Sequence, residues 1–102
     1  MSKDRRQHPR VARLFVGQWH ASSGAAHVRV ADLSVGGCFV QSLSSPAMGE
    51  TTSVTVTVGD HTFTFSGRVV HIDRGIGFSM KFGPVPAAEA DTLTRLLEEL
   101  AK

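Results

Sequence analysis

The run Thr52-Ser53-Val54-Thr55-Val56-Thr57-Val58 alternates polar and apolar residues without a break. Valines at period two scatter around a helix but share one face of a strand, and β-branched side chains favour the extended backbone. Gly59-Asp60 supplies a two-residue hairpin turn with glycine first, and Thr62-Phe63-Thr64-Phe65 answers across it. A hairpin with one apolar face must cover that face with more sheet or with helices, so the fold of the whole chain turns on what flanks it.

The flanks are mostly more strand. Val11 to His20 reads as a strand with Ala12, Leu14 and Val16 on one face and Arg13, Phe15 and Trp19 towards the other, and Ser22-Ser23-Gly24 turns it. Ala26 to Ala31 alternates, with Val28 and Val30 to the core and Arg29 outside. Cys38-Phe39-Val40-Gln41 resumes the pattern, and Ser44 to Gly49 is a loop. Beyond the hairpin, Gly67 marks an expected bulge or bend before Arg68-Val69-Val70-His71-Ile72. Asp73-Arg74-Gly75 turns the chain, and Phe78, Met80 and Phe82 share a side of the next strand. Six or seven short strands with no helix between them predict an all-β antiparallel barrel or sandwich. After Pro84 and Pro86 the period changes. Leu93, Leu96, Leu97 and Leu100 recur at helical spacing, so one amphipathic C-terminal helix over about 86–101 closes the domain.

Length and charge narrow the function. At 102 residues, 41% of them hydrophobic, the chain makes one domain with a core that needs no disulfide. Its single cysteine, Cys38, has no bridging partner, the first residues have no apolar stretch behind them, and no apolar run reaches membrane-spanning length. A cytoplasmic protein without membrane insertion is expected. The net charge of +2 is unevenly spread. Lys3, Arg5, Arg6, Arg10 and Arg13 face only Asp4 in the first thirteen residues, whereas the remainder carries six basic and eight acidic residues. Residues 1–10 therefore read as a flexible arginine-rich arm and 11–102 as the barrel with its helix. A basic arm suits an anionic partner: nucleic acid, a nucleotide phosphate or a membrane surface.

Catalysis is not expected. The histidines at 8, 20, 27, 61 and 71 fall on separate elements without the spacing of a metal site, so no metal or other cofactor is predicted. Asp32 has no acidic neighbour for paired acid–base work, and neither Ser34 nor Cys38 is matched to a base by any local pattern.

Two stretches carry more polar chemistry than folding requires. Pro9 keeps Arg5-Arg6-Gln7-His8-Pro9-Arg10 extended, which sets Arg6 and Arg10 roughly 13 Å apart at ~3.3 Å per residue. Guanidinium forks grip phosphates and the O6/N7 edge of guanine in bidentate fashion. Asp32-Leu33-Ser34-Val35-Gly36-Gly37 reads as the turn between two strands, offering a carboxylate, a hydroxyl and two glycines that let a ligand approach backbone amides. The hairpin between arm and turn brings both to one rim. There, arginines serve phosphates and the O6/N7 edge, and Asp32 serves N–H groups on the opposite edge. Guanine presents both edges.

With Arg6-Gln7-His8-Pro9-Arg10 as an Arg-x-x-x-Arg motif preceded by Arg5, and Asp32 to Gly37 as Asp-x-Ser-x-x-Gly, the chain resembles the PilZ domain family over nearly its whole length. Gly67-Arg68-Val69-Val70, Gly75-Ile76-Gly77-Phe78 and the closing helix are also similar to that family. The resemblance implies a six-stranded antiparallel β-barrel of PilZ type and a bacterial receptor for the second messenger cyclic di-GMP. It further implies that Arg5, Arg6 and Arg10 hold phosphates and guanine edges, that Asp32 and Ser34 bond a guanine, and that Gly37 keeps the turn open. On a later strand, His71 or its neighbour occupies a position that often faces the ligand in the family.

The expected mechanism is ordering of the N-terminal arm by the ligand, with the signal passed to a separate protein partner. The rival reading is a nucleotide-independent adaptor that docks a partner through barrel and helix. DNA or RNA binding is not expected, because there is no tyrosine and the six phenylalanines fall mostly on core faces, leaving no stacking platform.

Overall fold

The computed structural model describes residues 13–101. Six strands precede one helix: β1 (Phe15–Ala21), β2 (Gly24–Ser34), β3 (Gly37–Gln41), β4 (Thr51–Val58), β5 (His61–Asp73), β6 (Gly77–Phe82) and α1 (Ala87–Ala101). All neighbours are antiparallel, and the sheet closes into a barrel in the order β1-β2-β3-β6-β5-β4. The β4–β5 hairpin forms as its alternation requires, with Val58 opposite His61 and Gly59-Asp60 as the turn.

Inward positions fill the barrel. Val28, Val30, Val40, Val54, Val56, Val69, Phe78 and Met80 alternate along their strands with exposed or half-buried residues. Trp19 meets Phe78 edge-on at 5.0 Å between ring centroids, and its indole N–H donates to Thr52 Oγ1 at 2.9 Å, so the polar end of the ring is satisfied in the core. Phe63, Phe65 and Phe82 stack in a row beside it. Leu93 and Leu97 of α1 are fully buried and Leu96 and Leu100 partly so, which makes the leucine stripe the lid of the barrel core.

Three readings of the sequence change. The first strand begins at Phe15, later than the expected Val11, and its aromatic face wins the interior. Phe15 and Trp19 are buried, while Leu14 and Val16 stand 51% and 59% exposed. A strand can bury only one of its two faces, and the larger aromatic area is worth more when removed from water. The segment Asp32 to Gly37 is not all turn: Asp32, Leu33 and Ser34 belong to β2, and only Val35-Gly36 connects the strands. Finally, Gly67 sits in regular register between Thr52 and Phe82, and the irregularity of β5 falls between Val69 and His71 instead. A Cβ on Gly67 would lie 2.4 Å from the Lys81 carbonyl oxygen, so the glycine serves close approach of β5 and β6 and marks no bulge.

Candidate functional site

The site grows out of one extra residue. Along the β2–β3 ladder Ala31 pairs with Phe39, but the next pair is Ser34 with Gly37, so Asp32 and Leu33 together oppose Cys38 in a β-bulge. Asp32 takes φ 51°, making it the one non-glycine residue with positive φ among those described. Aspartate tolerates this left-handed geometry better than most residues, because its short side chain can bond locally. The bulge resets the phase of the strand. Leu33 and Ser34 turn inward at 0% and 2% exposure, and the Asp32 carboxylate remains outside.

Ser34 and Gly37 fix the connection. The Gly36 N–H donates to Ser34 Oγ at 3.2 Å, and the Phe82 N–H donates to the Gly36 carbonyl at 2.9 Å, tying the turn to the end of β6. A Cβ at Gly37 would fall 2.2 Å from the Met80 carbonyl oxygen, so only glycine lets β3 lie this close to β6. Burial pushes the Cys38 thiol up to about 12, which leaves it a protonated core residue at neutral pH and an unsuitable nucleophile.

Outside the bulge lies a cleft of about 260 Å³ lined by Asp32, Gly36, Gly37, Phe39, Val70, Ser79 and Lys81 among others. It combines a hydrogen-bond acceptor, glycine backbone, a half-buried aromatic and a cation, a set suited to a polar planar ring carrying an anionic group. On the later strand it is a neighbour of His71, Val70, that borders this cleft, and His71 does not. His71 Nε2 lies 3.1 Å from Asp73 Oδ1, an exposed pairing away from the bulge. Ser79 and Lys81 carry no sequence signal of their own. Each occupies an outward strand position beside the motif only because β6 lies between β3 and β5, an arrangement that no local pattern encodes.

Arg5, Arg6 and Arg10 lie outside the described residues. Their attachment point is nonetheless defined, since Phe15 pairs with Val30, two residues before Asp32, and the described chain begins on the rim that carries the bulge. Among the described residues, no group of three or more histidine, cysteine, aspartate or glutamate side chains could hold a metal ion, and no helix is long and apolar enough to cross a membrane.

Comparison with known proteins agrees with this architecture. The family model for the PilZ domain matches residues 4–99. No curated protein matches. Among solved structures, YcgR from Escherichia coli in complex with c-di-GMP superposes at TM-score 0.78 with 22% identity, over 95% of this chain and 46% of that one. The PilZ domain of the same protein with c-di-GMP gives 0.75 at 20% identity, over 95% and 92%. The Bacillus subtilis inhibitor of motility, MotI/DgrA, gives 0.77 at 17% identity, over 94% and 50%. This chain thus spans about half the length of the MotI/DgrA and full YcgR chains.

Proposed function

The chain belongs to the PilZ domain family, and from that premise we propose that it is a cytoplasmic bacterial receptor for cyclic di-GMP that signals to a protein partner by ordering its N-terminal arm. What carries the reading is the bulge at Asp32, which sets an exposed carboxylate on a glycine-bordered cleft at the rim from which the arm departs. In this proposal Asp32 accepts from guanine N–H groups, and Arg5, Arg6 and Arg10 donate to phosphates and to guanine O6/N7. Ser34, buried beneath the cleft, holds the Val35-Gly36 turn by accepting from the Gly36 N–H. Gly37 keeps β3 and β6 close enough for one ligand to span both.

The arm, residues 1–10, carries four positive charges against one negative, and the cleft is lined by both Asp32 and Lys81. A ligand with two phosphates would supply the negative charge that draws the arm over the cleft. Closure of the arm over the ligand then creates the surface a partner reads, and no reaction is required. Two of the structural neighbours are complexes with c-di-GMP, which supports the choice of ligand.

Calorimetric titration of the full chain with cyclic di-GMP, GTP and a short oligonucleotide tests this. Micromolar or tighter binding confined to cyclic di-GMP is expected. Heat with none of the three would favour the adaptor that needs no nucleotide, and preference for the oligonucleotide would favour a nucleic-acid binder.

A further inference from the structure

One rung of the barrel continues the motif to the far side of the cleft. Ser34 pairs with Gly37, Gly37 with Lys81, Lys81 with Arg68, and Arg68 with Thr51. Arg68 and Lys81 both point outward, because the residues flanking them, Gly67, Val69, Met80 and Phe82, are buried. Two cations thus stand directly opposite each other on neighbouring strands. Such a pair is destabilising in a sheet, where that position ordinarily favours opposite charges. Among the described residues the ion pair found is His71 with Asp73, and no carboxylate compensates Lys81 or Arg68.

These two side chains also border a second cleft of about 400 Å³, together with the hydroxyl-bearing Thr51 and Ser66. The second cleft shares Val70 and Lys81 with the one at Asp32, so the two form one trough. Along it, Arg68 lies two strand spacings, about 10 Å, from Gly37. A guanidinium fork, an ammonium and two hydroxyls around one depression are the donors that a phosphodiester needs.

We infer that Lys81 and Arg68 form a phosphate-binding lobe of the nucleotide site, holding a phosphodiester of the cyclic dinucleotide whose guanine sits at Asp32. The inference rests on the function proposed above and extends it from β2 and β3 to β5 and β6. Among the described residues this like-charge pair has no salt-bridge partner, and the ligand supplies an anion for it. Val70, between the two clefts, gives the ligand an apolar floor.

Lys81→Met and Arg68→Gln each remove a charge and keep most of the stem. Titrated with cyclic di-GMP, each variant should bind about tenfold or more weakly than the parent chain, with a shallower dependence on ionic strength. Thermal unfolding without ligand should be unchanged or shifted upward, because the repulsion is gone. A purely structural role would lower that midpoint and leave the salt dependence alone. Parent-like affinity in both variants would overturn this inference and leave the receptor reading standing. Failure of the parent chain itself to bind cyclic di-GMP would overturn both.

Discussion

At Asp32 a single residue holds a backbone geometry and a ligand group together, and substitution can separate the two. Asp32→Gly relieves the left-handed strain and should keep or raise stability, by up to ~1 kcal/mol, while removing the acceptor and weakening cyclic di-GMP binding at least tenfold. Asp32→Asn keeps the geometry and one acceptor and should fall between. Unfolding midpoints and calorimetry on the same samples would show it, and parallel loss of both properties would make the residue structural only. Cys38 gives a separate prediction in pH. Its folded thiol, raised from 9.0 to about 12, retains a proton that the unfolded chain releases. The contribution is fully present below about pH 9 and is lost as pH rises through the window to 12, at roughly 1.4 kcal/mol per pH unit. Urea midpoints at pH 8 and 10.5 should therefore diverge in the parent chain and converge in Cys38→Ala after correction for the lower stability of the variant.

At the scale of elements, β5 and β6 are held at a distance that only Gly67 permits. Gly67→Ala pushes a methyl against the Lys81 carbonyl and should cost about 1–3 kcal/mol, measurable by denaturant unfolding. The same residue marks where sequence reading stops. A glycine in a strand signals either a bulge or a close backbone approach, and period alone does not distinguish them. The β4–β5 hairpin was legible because its turn and alternation are local, and the leucines of α1 were legible for the same reason. The bulge in β2 was not, since one surplus residue leaves the identity of Asp32 and Ser34 unchanged and appears only in pairing with β3. Nor was the inward choice of β1, where two apolar faces competed and the aromatic one was buried. Lys81 and Arg68 became neighbours through a register spanning thirteen positions, although their outward phase could have been read from the buried residues around them.

For the whole molecule, the proposed division between arm and barrel can be tested directly. A chain lacking residues 1–10 should unfold cooperatively at nearly the parent temperature, because the described core already runs from Phe15 to Leu97, yet lose most of its affinity for cyclic di-GMP. Circular dichroism and calorimetry would check the two halves of that statement, and a truncated chain that bound as well as the parent would exclude the arm from the site. The closed order β1-β2-β3-β6-β5-β4 has its own consequence for how any partner is met. Every described strand has a neighbour on both sides, so along the closed ladders no row of unpaired amides and carbonyls meets an incoming strand, and backbone paired on one side only is confined to strand ends such as Gly24–Val28, where β2 runs past β3. Elsewhere recognition is left to side chains on the outer wall, and its specificity can be rewritten there without disturbing a single ladder hydrogen bond.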